Sequence, residues 1–306
     1  MRRLSNVELM LLVTIALWSL NLTVTRYILT HGLEPLTYST VRYGLAAAVF
    51  AGIVLVAEGS LRLARRDLLH ALVTGLVLYV NQIGFVYALR STSASVIALI
   101  LGATPIFVAL LGLGRRTERL PRRFWIGAAL SFGGVALVAL GTGGEVAGNA
   151  TGILFGILTA ATWAAYSVLI TPLLQRYSAT RISTVVLAAS WVPVALTGLS
   201  QTASQDWGID WRVWALLFFA TLGPLVLTNV LWFRSLDRIG PARATLAENL
   251  QPFVAALVAV VLLSETMSVL QLSGGALIAV GILAVRRRRS APPHDASEAR
   301  DPSASR

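Results

Sequence analysis

Thr14, Trp18, Asn21 and Thr25 follow one another at intervals of four, three and four residues, which puts them in one stripe of a 3.6-residue helix. The surrounding residues are apolar, so the stripe must face protein or water. Thr159, Thr162, Trp163 and Tyr166 make a second stripe of the same kind. Asn81 with Gln82, and Thr228 with Asn229, add amides in the middle of other apolar runs. Such groups bind polar small molecules without covalent chemistry, and they also tie helices together at about 0.6 kcal/mol per bond. Trp18, Trp163, Tyr166 and Trp232 can further provide apolar walls for a hydrophobic side chain. Trp191, Trp207, Trp211 and Trp214 lie nearer the expected outer surface and read as interfacial anchors.

Glu248 is the acid placed well inside an apolar run, roughly 9 Å from the start of its helix and beside Asn249 and Gln251. A lone carboxylate at mid-bilayer costs at least ~2.5 kcal/mol, so it needs a partner, water or a proton. Two readings stand side by side. Glu248 either pairs with Arg243, or lines a cavity with Gln251 and exchanges a substrate amine or a proton. Arg42 lies about 9 Å inside its own helix, where it can snorkel, brace the bundle or meet a substrate carboxylate. Pro105 and Pro252 interrupt apolar runs at matching positions and are the candidate hinges, because proline frees a carbonyl inside a helix. Glu118 and Glu265 fall at turns and read as architecture.

Enzymatic signals are missing. The three histidines, His31, His70 and His294, are scattered, and no metal, phosphate-loop, HExxH or GxSxG pattern occurs. No cofactor and no metal are therefore expected. The absence of cysteine excludes disulfides and thiolate metal sites. An intramembrane lipid-modifying enzyme would need acids or histidines gathered at one membrane face, and they are not there. A passive channel remains the other alternative to a carrier.

The elements that must position these residues are membrane helices. Of 306 residues, 56% are hydrophobic and 13% charged, against roughly 25% charged in an ordinary soluble domain. Apolar runs are expected at 9–29, 36–57, 68–89, 93–113, 123–141, 151–174, 182–200, 212–235, 242–263 and 268–285, each long enough to cross a bilayer. The formal charge of +11 reflects 25 basic residues, all of them arginine, against 14 acidic ones, and 21 of the 25 arginines fall in every second connection. That bias predicts both termini in the cytoplasm, and it points to a lipid rather than a nucleic-acid environment. The N-terminal run continues to about Leu29 without a cleavage site, so it is read as a first span rather than a signal peptide. Residues 286–306 have the composition of a disordered cytoplasmic tail.

The chain also repeats itself. Pro105, Ala109, Leu110, Glu118, Gly127, Ala129, Leu130 and Gly134 recur as Pro252, Ala256, Leu257, Glu265, Gly274, Ala276, Leu277 and Gly281, always 147 residues later. Residues 1–141 and 151–285 are read as two five-helix repeats. Five is odd, so the second repeat enters the membrane inverted relative to the first.

Trp18-Ser-Leu-Asn21, Val41-Arg42-Tyr43, Tyr87-Ala-Leu-Arg90, Ser93-Ala-Ser95, Thr104-Pro105, Trp163-Ala-Ala-Tyr166, and Pro252 with Ser264-Glu265 resemble the EamA-type branch of the drug/metabolite transporter superfamily. The resemblance runs from residue 8 to 286. It implies ten helices in an inverted pair of repeats, with spans 1, 3, 4, 6, 8 and 9 around a central cavity and spans 5 and 10 outside it. It also implies export of amino acids or other metabolites. One departure matters: small multidrug relatives carry a Glu within their first helix, where this chain has Asn21. The combined expectation is an all-α secondary transporter of the bacterial inner membrane working by alternating access. Its substrate is a small metabolite, an amino acid or similar, with protons as a further candidate partner. The substrate contacts expected are Trp18, Asn21, Thr25, Asn81, Gln82, Trp163, Tyr166, Asn229, Trp232, Glu248 and Gln251.

Overall fold

The computed structural model describes residues 6–91, 94–114, 120–141, 150–254, 257 and 268–285. Glu118, Glu265, His294, residues 142–149 and the tail after Val285 lie outside the described residues. The described residues form helices without strands. In chain order these are α1 (Asn6–Thr30), α2 (Pro35–Glu58), α3 (Arg65–Ser91), α4 (Ala94–Leu101), α5 (Thr104–Gly114), α6 (Arg122–Gly141), α7 (Ala150–Leu174), α8 (Ala179–Thr197) and α9 (Leu199–Ala203). There follow α10 (Trp211–Thr221), a π-helical turn (Leu222–Leu227), α11 (Thr228–Ile239), α12 (Pro241–Glu248) and α13 (Val269–Val285). Seven of the described helices, counting α10 to α11 as one, are long and apolar enough to cross a membrane.

Helix ends follow the expected chemistry. Pro35 opens α2, where a missing N–H costs nothing, and Gly59 closes it at φ 68°. Ser178 caps α8 through the Arg181 N–H, and Asp210 caps α10 through the Arg212 N–H. Gly240, at φ 79°, makes the sharp turn from α11 into α12, whose first residue is again proline.

The expected run 93–113 is not one helix. It breaks at Gly102-Ala103 into α4 and α5, with Pro105 second in the new helix rather than inside an old one. The run that starts at Pro241 breaks at Asn249-Leu250, and helical residues resume at Gln251-Pro252. The two breaks are 147 residues apart, and Asn249 Nδ2 donates to Gly102 O across 3.2 Å. The run 212–235 is continuous but contains the π-helical turn around Pro224.

Connections that meet in space fall into two sets. At one end, Arg176 pairs with Asp67 at 2.7 Å, and Tyr177 OH donates to the same carboxylate. Arg181 pairs with Glu58, which also accepts from Ser178 and Thr180. At the other end, the Gln205 amide holds Gly32 O and the Glu34 N–H, Gln201 accepts from the Leu36 N–H, and Arg90 pairs with Glu34 at 3.2 Å. Trp191 donates to Thr40 O and Trp207 stacks on Trp214, both towards this second end.

α6 and α13 pack against one another through glycine. A Cβ built on Gly134 would lie 2.6 Å from Gly274 O, and one on Gly281 would lie 2.6 Å from Gly127 O. Backbones can approach this closely only where side chains are absent, and packing of this kind drives helix association in lipid.

Candidate functional site

A cavity of about 150 Å³ lies in the middle of the bundle, walled by residues of α1, α2, α3, α4, α5, α7, the π-helical turn, α11 and α12. Among the described residues, those of α6, α8 and α13 contribute nothing to its wall. Of the expected contacts, Trp18, Asn21, Asn81, Gln82, Trp163, Tyr166, Asn229, Glu248 and Gln251 line it, as does Pro252. Thr25 and Trp232 do not. Thr25 instead bonds Tyr38 OH at 2.9 Å, and Trp232 is fully buried behind the wall. Pro105 stays off the wall, although its neighbour Thr104 is on it.

The lining residues play different parts. Asn81 Nδ2 donates to Thr159 O at 2.8 Å and to Thr162 Oγ1 at 3.2 Å, fastening α3 to α7. Gln82 accepts from Tyr43 OH at 2.9 Å and donates to Ser39 Oγ at 2.9 Å, fastening α3 to α2. The Gln82 amide and the Asn81 NH2 group are committed to helix contacts. By contrast, Asn21 Oδ1 and Thr104 Oγ1 are buried with no partner among the described residues. A buried polar atom left alone in a low-dielectric interior is costly, and at a cavity wall it marks a place for a ligand or water.

Aromatic rings form one side of the site. Trp18 meets Trp163 edge-on at 5.5 Å and Trp232 at 5.1 Å, while Trp163 stacks on Tyr166 at 5.2 Å. Each such pair contributes about 0.5–1.5 kcal/mol beyond burial, so the wall is preformed and stiff. Trp18 is also pinned by its polar edge. A π-helical turn shifts the backbone bonding so that the Thr228 N–H reaches Gly223 O, and Trp18 Nε1 donates to Pro224 O at 3.0 Å. Pro224 thereby anchors the wall.

Glu248 ends α12 immediately before the break. Its carboxylate accepts from Trp163 Nε1 at 3.0 and 3.2 Å, and it makes no ion pair with Arg243. The acid therefore belongs to the cavity and not to a pair at the membrane edge. Arg42 also lines the cavity, beside Tyr43, so the wall includes span 2 as well as spans 1, 3, 4, 6, 8 and 9. Arg42 meets the cavity, as one of its three sequence readings allows, while Tyr43, Thr104, Pro224 and Asn249 are not among the expected contacts. The Val41-Arg42-Tyr43 and Thr104-Pro105 motifs are the available signals for Tyr43 and Thr104.

Among the described residues, no three His, Cys, Asp or Glu converge as metal ligands would. The arrangement offers noncovalent binding instead: an aromatic wall, unpartnered amide and hydroxyl oxygens, one carboxylate and one guanidinium, set among apolar helices.

A multi-pass helical membrane protein with a central cavity lined by aromatic and polar side chains has the build of a solute carrier. The model of the EamA-like transporter family matches residues 6–140 and again 150–287, and the chain belongs to that family. It is 27% identical over 282 residues to a protein of Salmonella typhimurium named a probable amino-acid metabolite efflux pump, covering 89% of this chain and 91% of that one. It is 22% identical to an uncharacterized transporter of Archaeoglobus fulgidus, over 92% of this chain and 99% of the other. With the uncharacterized inner membrane transporter YedA of Escherichia coli K12 it shares 25% identity over 80% of each chain. A crystal structure superposes with a TM-score of 0.73 at 21% identity, covering 91% of this chain and 95% of that chain, a likeness of fold. The family is one of transporters and the relatives are named transporters or efflux pumps, not enzymes; the family implies a small-molecule substrate and a lipid environment.

Proposed function

We propose that this protein is a secondary transporter that exports a small metabolite, an amino acid or similar compound, across a bacterial inner membrane by alternating access through the central cavity. The observation that carries the reading is the cavity itself, with Asn21 and Thr104 oxygens unpartnered at its wall and two interrupted helices beside it. Interrupted helices expose backbone groups where a polar solute must be held within hydrocarbon. The name of the Salmonella relative favours an amino acid.

The architecture that accompanies this reading is ten spans in two inverted five-helix repeats, residues 1–141 and 151–285, with a cytoplasmic tail and both termini inside. Reciprocal contacts support it. Gly127 meets Gly281 and Gly134 meets Gly274, and each partner is the 147-residue equivalent of the other pair's member. Contacts that map onto themselves when the halves are exchanged are those of a two-fold axis. The two sets of connecting segments that meet in space, 31–36 with 201–205 and 58–67 with 176–181, are also those that arginine counting assigns to common faces.

Reconstitution into proteoliposomes tests the reading. Preloaded amino acid should drive saturable counterflow of the labelled compound, and a deletion strain should export less of it than an overexpressing strain. Flux that rises linearly with concentration, without counterflow, replaces the carrier with a channel. A pH gradient imposed on the same vesicles separates proton-coupled export from facilitated diffusion.

A further inference from the structure

Pro224 has no N–H, so Ala220 O, four residues before it, loses its intrahelical donor. Arg42 reaches across from α2 to fill the place: its Nε and Nη2 donate to Ala220 O at 3.2 and 3.0 Å. The guanidinium carries five N–H donors, and this contact uses two of them. It lies over the Tyr38 ring at 5.6 Å, is part of the cavity wall, and belongs to a residue that is 5% exposed. Neither Glu248 nor any other described carboxylate forms an ion pair with it.

A neutral donor would satisfy the same carbonyl without burying a charge in a membrane, so the carbonyl does not account for a guanidinium. Ionisable groups at this depth face a partner or a pathway. The same wall holds a second charge-bearing group, Glu248, supported by one indole N–H and also without an ion pair among the described residues. The cavity thus contains a cation and an acid that do not pair with each other, and an aromatic wall of Trp18, Trp163 and Tyr166.

Resting on the cavity as the substrate site, we propose that Arg42 is an anion subsite that takes the carboxylate of a zwitterionic substrate, whose ammonium group goes to Glu248 and whose apolar side chain meets the aromatic wall. A planar guanidinium suits a carboxylate because two parallel N–H donors match its two oxygens. Each charge of the ligand then meets an ionisable protein group that has no ion pair among the described residues, which selects zwitterions over amines and over simple carboxylic acids.

The experiment follows the thermal unfolding midpoint of the detergent-solubilised full chain against ligand concentration, since a ligand that binds only the folded state raises it. The probes are L-phenylalanine, 2-phenylethylamine, which lacks the carboxylate, and 3-phenylpropionate, which lacks the ammonium, followed by the other common amino acids. In the unaltered protein the amino acid should bind at least about 10-fold more tightly than either truncated analogue. Arg42→Gln, which can still donate to Ala220 O, should weaken the amino acid about 10- to 100-fold and leave the amine within about 2-fold. Arg42→Lys should fall between. Equal binding of phenylalanine and phenylethylamine by the unaltered protein overturns the proposal, and it does so even if the Arg42 variants fail to fold. An Arg42→Gln variant that retains the preference for the amino acid overturns it equally. Either result leaves the cavity as a substrate site, whereas failure of every amino acid to shift the unaltered protein removes the amino-acid reading as well.

Discussion

Asn249 Nδ2 donates to the main-chain carbonyl of Gly102, and the two residues are separated by 147 positions, the offset at which the sequence repeats itself. Each marks the break in its own helix, so the interruptions of α4–α5 and of the α12 run touch where they are equivalent. Contact between positions related by that offset supports the proposed two-fold relation of the halves. The same amide also donates to Ser131 Oγ at 3.0 Å, which ties the crossing to α6.

Removing that amide should loosen the centre of the bundle. Asn249→Ala leaves a buried carbonyl without its donor, a loss of about 1 kcal/mol or more. The unfolding midpoint in detergent should fall, and Asn249→Asp, which supplies no donor in its ionised form, should not restore it. An unchanged midpoint in both variants would make the crossing incidental.

The α6–α13 contact should tolerate no bulk. Gly134→Leu would drive a side chain into Gly274 O, which is backbone and cannot turn aside. The expected cost is about 1–3 kcal/mol, read as a lower midpoint and reduced recovery after solubilisation. Because the described residues of these helices contribute nothing to the cavity wall, protein that does fold should keep its affinity for substrate.

Trp18→Ala, Asn21→Ala and Tyr166→Ala should each insert into the membrane but transport more slowly. Trp18 and Tyr166 shape the aromatic wall, and Asn21 presents an unpartnered oxygen to the cavity. Loss of a hydrogen bond to substrate or of one wall ring should lower counterflow by about 5- to 30-fold. Normal affinity and rate in all three would reduce them to packing residues.

Glu248→Gln keeps the shape of the side chain, and its amide oxygen can still accept from Trp163 Nε1, while the ionisable group is gone. Counterflow should drop by an order of magnitude or more and lose its dependence on pH, with membrane expression unaltered. Transport at the original rate across the pH range would return Glu248 to a structural role.

Topology can be read directly, because the chain contains no cysteine. Ser60→Cys, in the α2–α3 connection, should react only from the cytoplasmic side, and Ser204→Cys, after α9, only from the periplasmic side. Labelling of both from one side would falsify the inverted-repeat arrangement.

By itself the sequence determined that the chain is helical and lies in a membrane. Twenty-residue apolar runs leave hydrocarbon-embedded backbone no other way to satisfy its hydrogen bonds. It also determined most helix limits to within a few residues, as with 9–29 against Asn6–Thr30 and 151–174 against Ala150–Leu174, because proline, glycine and arginine punctuate the runs. The stripes of Trp18, Asn21, Trp163 and Tyr166 were legible as polar faces, since 3.6-residue spacing fixes which residues share a side.

Tertiary structure decided what each face meets. Thr25 shares the stripe of Asn21, but it lies about one turn further along α1, where Tyr38 takes its hydroxyl before the cavity can. Trp232 looks equivalent to Trp163 in the sequence, yet its ring sits behind the wall. Asn81 and Gln82 are as polar as Asn21 and differ only in having neighbours close enough to bond. The partner of Glu248 was equally open. Arg243 is five residues away along the chain, but the carboxylate meets an indole 85 residues distant, because helix packing and not chain proximity sets which groups share a low-dielectric pocket.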